Sequence, residues 1–121
     1  MMYESTEVIE SQVAPGVSFT IVKMSYGRRI ELMRRIHDLG GRLEFLAAGA
    51  KPEDQMEAAL LEAEINRLYL SWGLQKVSGL SLDGIDATPQ LLADSGPEDL
   101  FREALAAVQA QSGLNESDRK N

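Results

Sequence analysis

The 121-residue chain contains no cysteine. That excludes a disulfide framework, a thiolate nucleophile and any Cys-ligated zinc or iron–sulfur site. Histidine occurs once, as His37, so the residue type best suited to proton transfer near neutrality is nearly missing. No uninterrupted apolar run approaches the roughly 20 residues that span a bilayer. The opening MMYESTEVIE is acidic and polar, unlike a secretory or transit leader. The expectation is a soluble cytoplasmic protein with no membrane partner. What remains is ordinary globular composition, 44% hydrophobic and 26% charged, suited at this length to a single domain.

Charge of one sign dominates but is unevenly spread. The formal net charge is −7. Residues 1–22 carry −3, residues 23–51 carry +4 and residues 52–121 carry −8. An acidic whole disfavours non-specific binding to nucleic acid or anionic lipid. The basic block, which holds Arg28, Arg29, Arg34, Arg35 and Arg42, therefore needs its own explanation.

Hydrophobic periodicity predicts an α+β fold, mostly helical, with about four to five helices. Val17, Phe19 and Ile21 alternate with Ser18 and Thr20, the period of a half-buried strand. Ala14-Pro15-Gly16 supplies turn chemistry before it, and residues 7–13 can pair back, giving a β-hairpin over 7–24. Ser25 stands as a helix N-cap. Ile30, Met33, Ile36 and Leu39 then recur at steps of three, and Gly40-Gly41 is expected to stop or kink that helix before a second segment over 42–48. The longest helix is expected from Pro52, with Glu53 and Asp54 in its first turn, to Trp72, ended by Gly73. Met56, Leu60, Ala63, Leu68 and Trp72, flanked by Leu61 and Ile65, give it a wide apolar face. Residues 77–82 read as one short strand, and Asp83-Gly84 as a type I′ turn returning through Ile85, a second short β segment within 76–86. Thr88-Pro89 and Ser95-Gly96-Pro97-Glu98-Asp99 are two further helix starts, giving helices over 89–112 that close at Gly113 with Leu114 in contact. One domain over 1–114 with a flexible tail at 115–121 completes the expectation.

No catalytic, metal or cofactor site is read from the residues. His37 has no accompanying nucleophile, and no serine sits in a G-x-S-x-G elbow. Asp83 and Asp86 lack the closing glutamate and alternating oxygen ligands of a calcium loop. Gly79 and Gly84 flank a strand and do not form a phosphate-binding motif. Two features are left. Arg28 and Arg35 lie seven apart on one helix face with Arg29 and Arg34 towards its flanks. They suit docking to an acidic partner, or intramolecular pairing such as Glu31 with Arg35. The apolar residues Leu61, Ile65, Leu68 and Trp72 are either the chain's own core or part of a face for a partner helix or another subunit.

The run Val17-Ser18-Phe19-Thr20-Ile21-Val22-Lys23-Met24-Ser25-Tyr26-Gly27-Arg28-Arg29-Ile30-Glu31-Leu32, a short V-x-F-T strand, a serine, then R-I-E-x-L opening a helix, resembles the N-terminal part of tail assembly chaperones of long-tailed phages and prophages. Trp72-Gly73-Leu74, Leu82-Asp83-Gly84 with Ala87-Thr88-Pro89, and Gly96-Pro97-Glu98-Asp99-Leu100 are similar to segments of small prophage proteins. The resemblance implies a non-enzymatic role in virion morphogenesis: binding the helical, aggregation-prone tape-measure protein while the tail tube polymerises, then leaving the particle. It assigns no binding residues. The chain is shorter than many such chaperones, and a frameshift-extended companion product is not visible in it. Partner-binding residues expected from the sequence are thus Arg28, Arg29, Arg34, Arg35, Leu61, Ile65, Leu68 and Trp72, with a tape-measure or tail tube protein, or a second copy, as partner. The alternatives are a minor structural virion protein of the tail or connector, and a small nucleic-acid-binding regulator using the Arg-rich helix.

Overall fold

The computed structural model describes residues 1–49 and 51–113. The chain is an α+β protein, with about 59% of the described residues helical and 17% in strands. Its elements are β1 (Thr6–Glu10), β2 (Ser18–Val22), α1 (Tyr26–Ala47), α2 (Pro52–Gly73), β3 (Leu74–Ser78), β4 (Ser81–Leu82), β5 (Ile85–Asp86), α3 (Pro89–Ser95) and α4 (Glu98–Ser112). These fall into two compact units. A sheet unit takes Met1–Met24 and Tyr69–Gly113; a helical unit takes Ser25–Leu68. The expected tail at 115–121 and the Leu114 contact lie outside the described residues.

The sheet unit is built on a three-stranded antiparallel sheet in the order β1-β2-β3. Val17, Phe19 and Ile21 are buried, as their alternation predicts. Ile9 pairs with Phe19, and Phe19 with Val77, so one apolar row crosses all three strands. In β3, exposed Gln75 and Lys76 separate buried Leu74 and Val77, which strict alternation forbids. A register shift opposite Thr20 and Ile21 accounts for it: Lys76 faces Thr20 and Leu74 faces Ile21. Such a bulge returns both apolar side chains to the inner face. α4 packs on β2, α3 packs on β3, and the two helices touch each other. Leu92, Leu100, Ala104, Leu105 and Val108 are buried on them.

Two turns carry the expected chemistry. The Val17 N–H donates to the Ala14 carbonyl at 3.1 Å and Gly16 has φ +89°, a four-residue turn with Pro at its second position and Gly at its third. Asp83 and Gly84 have φ of +52° and +81°, the paired positive values of a type I′ turn, and they join β4 to β5. The expected single strand over 77–82 is instead divided at Gly79, which has φ +78°. Residues up to Ser78 extend the main sheet; those from Ser81 form the small hairpin. A Cβ on Gly79 would collide with the Gly16 carbonyl oxygen, so two turns are held in backbone contact there.

α2 ends at Gly73, where the sequence places its break, and β3 follows at once. A Cβ on Gly73 would lie 2.5 Å from Val108 Cγ1; its value is close approach to α4. The helix starts agree with the sequence. Thr88 Oγ1 accepts the Leu91 N–H at 3.1 Å with Pro89 opening α3, and Gly113 closes α4 in the left-handed conformation.

In the helical unit, Ser25 Oγ accepts the Arg28 N–H at 3.2 Å and starts α1. The helix then runs unbroken through Gly40-Gly41 to Ala47, correcting the expected stop. Two interior glycines cost about 2 kcal/mol of helix propensity. Against that, Leu32, Ile36, Leu39, Leu43 and Leu46 recur at alternating steps of four and three, a seam kept in register only by an unbroken helix. α2 carries the matching seam Ala58, Leu61, Ile65 and Leu68. Gln55 Nε2 donates to the carbonyls of Gly49 at 2.6 Å and Ala47 at 3.4 Å, tying the start of α2 to the end of α1. Residues from both helices line common grooves, so α1 and α2 lie side by side as a helical hairpin.

A candidate protein-docking face

The basic surface of α1 is partly neutralised from within. Glu31 lies between two of the four arginines, its carboxylate 3.5 Å from Arg28 Nη1 and 2.7 Å from Arg35 Nη2. All three side chains are about a third or more exposed, so these pairs hold side-chain geometry more than they stabilise the fold. Arg29 is half-buried and Arg34 exposed, and no ion pair reaches either among the described residues. His37 Nδ1 lies 3.4 Å from Asp38 Oδ1 of the same helix. Ile30, Met33, Arg34, His37 and Asp38, all on α1, border one open depression.

The four apolar residues singled out on the long helix divide. Leu61, Ile65 and Trp72 are buried and Leu68 is half-buried; Trp72 belongs to the sheet unit and the other three to the helical unit. They are interior residues of this chain. The apolar surface that a partner can reach lies one step around α2, where Met56 is 68% and Leu60 67% exposed, and on α1, where Phe45 is 81% exposed. Sequence periodicity passes over Phe45. It places Met56 and Leu60 on the apolar face of α2 but does not single them out as the exposed part, because the apolar positions merge into one apparent face. A finer signal separates them: the steps 58, 61, 65, 68 form one seam, and 56, 60, 63 a distinct stripe beside it.

Phe45, and Leu60 from that stripe, border a groove in the helical hairpin. Gly41, Arg42, Phe45 and Leu46 line it from α1; Glu57, Leu60, Leu61 and Glu64 line it from α2. The two adjoining hollows measure about 290 and 240 Å³, shallow recesses that suit single side chains of a partner better than a whole small ligand. Phe45, Leu46, Leu60 and Leu61 supply its apolar lining and three charges border it, Arg42 on the α1 side and Glu57 and Glu64 on the α2 side. No ion pair reaches any of the three rim charges among the described residues. Met56 lies one helical turn before Leu60 and extends that apolar lining along α2.

Among the described residues, no group of three or more His, Asp or Glu side chains could hold a metal ion, and no helix is long and apolar enough to cross a membrane. Asp83, Asp86 and Asp94 do not form such a group; the first sits in the β4–β5 turn. No family model, no curated protein and no solved structure matches this chain.

Proposed function

We propose that the protein works by reversible protein–protein binding, without catalysis, as a tail-assembly-chaperone-like morphogenesis factor in the cytoplasm of a phage-bearing bacterium. The observation that carries the binding role is the exposed Phe45–Leu60 groove: large apolar side chains on two helices, edged by charges with no partner of their own. A monomeric surface normally scatters its exposed apolar residues singly; large apolar side chains gathered beside adjoining hollows and edged by charges have the anatomy of an interaction site. The occupant that suits it is an amphipathic helix, whose apolar face fills the groove while its flanks meet the rim. The resemblance to tail assembly chaperones supplies the nature of that helix, a segment of a tape-measure protein.

The test is co-expression of a tape-measure segment with this protein and measurement of the soluble fraction and of co-purification. The expected result is solubilisation by the wild type and at least a tenfold loss with Phe45→Glu/Leu60→Glu. Equal solubilisation by that variant, with its circular dichroism unchanged, would overturn the assignment of the face. Failure of the wild type to hold the segment would overturn the chaperone reading.

A further inference from the structure

We infer that the groove face of the α1–α2 hairpin is self-complementary and takes a second copy of this chain, giving a two-fold dimer whose two hairpins form a four-helix arrangement. The inference rests on the proposed reading of this face as a protein-binding one and names what covers it when no client helix is bound. Its ground is the distribution of sign. The cation Arg42 lies on the α1 edge of the groove, the carboxylates Glu57 and Glu64 on the α2 edge, and all three are exposed. A helix satisfies both edges only if its two flanks carry opposite signs, and this chain carries that pattern itself.

A second copy satisfies both, and the sign pattern selects how. Two-fold symmetry makes every contact reciprocal. With the axis lying in the face and parallel to the helices, α1 of each copy covers α2 of the other, antiparallel to it, at the same level along the hairpin. Glu57 and Glu64 stand two turns apart, about 10 Å, along α2, and Arg42 borders the same hollow as both in a single copy. The rotation keeps that level and therefore sets each Arg42 alongside the other copy's segment 57–64, within reach of both carboxylates. It also sets Phe45 over the Met56–Leu60 stripe, withdrawing three large exposed apolar side chains from water. An axis across the helices instead puts α1 over α1 and opposes like charges, which is disfavoured. The parallel-axis dimer is the geometry of antiparallel four-helix bundles.

Sedimentation velocity across a concentration series at physiological salt tests this with full-length protein. Wild type is expected to sediment as a dimer, at twice the chain mass. Arg42→Glu alone, and Glu57→Arg/Glu64→Arg alone, are each expected to weaken self-association at least tenfold, because each brings like charges together. Mixing these two variants is expected to restore a one-to-one heterodimer, since every rim contact then again joins opposite charges. Adding Leu60→Glu to both members of that mixture is expected to abolish it, which excludes bulk attraction between oppositely charged chains. A monomeric wild type at 100 μM, or single variants that dimerise as tightly as wild type, would overturn the inference. If wild type is monomeric yet Phe45→Glu/Leu60→Glu still loses the tape-measure segment, the dimer fails and the proposed function stands. If the charge-swapped heterodimer forms but no segment is held, the dimer stands and the chaperone reading fails.

Discussion

The tie between α4 and the segment after β1 offers a sharp test of the packing logic, because one serine and one glutamate carry four hydrogen bonds. Ser11 is 8% exposed. Its Oγ donates to Glu103 Oε1 at 2.5 Å and accepts the N–H groups of Val13 at 3.1 Å and Ala14 at 2.9 Å. The other carboxylate oxygen, Oε2, accepts the Gln12 N–H at 2.7 Å. Ser11→Ala removes one charge-assisted bond, discounted to about 1 kcal/mol because Glu103 is half-exposed, and strands two amides at about 0.5–1 kcal/mol each. The total is about 2–3 kcal/mol. Glu103→Ala removes two bonds and should cost about 2 kcal/mol. Because the two residues share one bond, the double variant should fall short of the sum by about 1 kcal/mol. Urea unfolding followed by tryptophan fluorescence reports on it directly, as Trp72 is buried in the same unit. In a thermal scan the serine variant should melt roughly 10 °C lower or more. Additivity within about 0.3 kcal/mol, or a serine variant costing under about 0.5 kcal/mol, would refute the view that this cluster anchors the edge strand.

Three further substitutions separate backbone effects from contact effects. Gly79 and Gly84 have nearly equal φ, +78° and +81°, but a Cβ on Gly84 meets open space while one on Gly79 meets the Gly16 carbonyl. Gly84→Ala should therefore cost about 1–2 kcal/mol and Gly79→Ala at least about 1 kcal/mol more, as read from denaturant midpoints. Gly73→Ala should destabilise by about 1–3 kcal/mol through its clash with Val108, and Val108→Ala in the same chain should recover part of that loss. Glu31→Ala should change stability by less than about 1 kcal/mol, because both of its ion pairs are exposed. A loss above about 2 kcal/mol in thermal melts would contradict that ranking.

Where local chemistry decides, the sequence is a good guide. Val17, Phe19 and Ile21 point inward because a strand has period two; Asp83-Gly84 turns because both residues tolerate positive φ; Thr88 and Ser25 cap because their hydroxyls reach an orphan amide. Where two local rules compete, it is not. Gly40-Gly41 is a stop signal to any short window, and the leucine seam that overrides it is visible only over the whole span from Leu32 to Leu46. Gln75 and Lys76 hide β3 by breaking alternation, because a bulge is a property of the strand pair rather than of either strand. The docking face is half legible. The apolar positions on α2 are more than one seam can hold, but which of them face inward depends on the partner helix. Periodicity alone therefore offers Leu61 and Ile65 as surface candidates, groups Leu60 with them on one face, and passes over Phe45.

β2 and β3 are hydrogen-bonded neighbours, yet residues 23–73 lie between them in the chain. Closing a flexible loop of that size costs conformational entropy that grows with the logarithm of its length. If the α1–α2 hairpin forms first, from contacts close in sequence, it shortens the effective loop before the sheet must close. The order of events then follows: β1 with β2 and α1 with α2 early, β2 with β3 late. Slow folders of this kind are limited by non-local strand pairing, so variants that loosen the leucine seam should slow refolding even though none of their side chains belongs to the sheet.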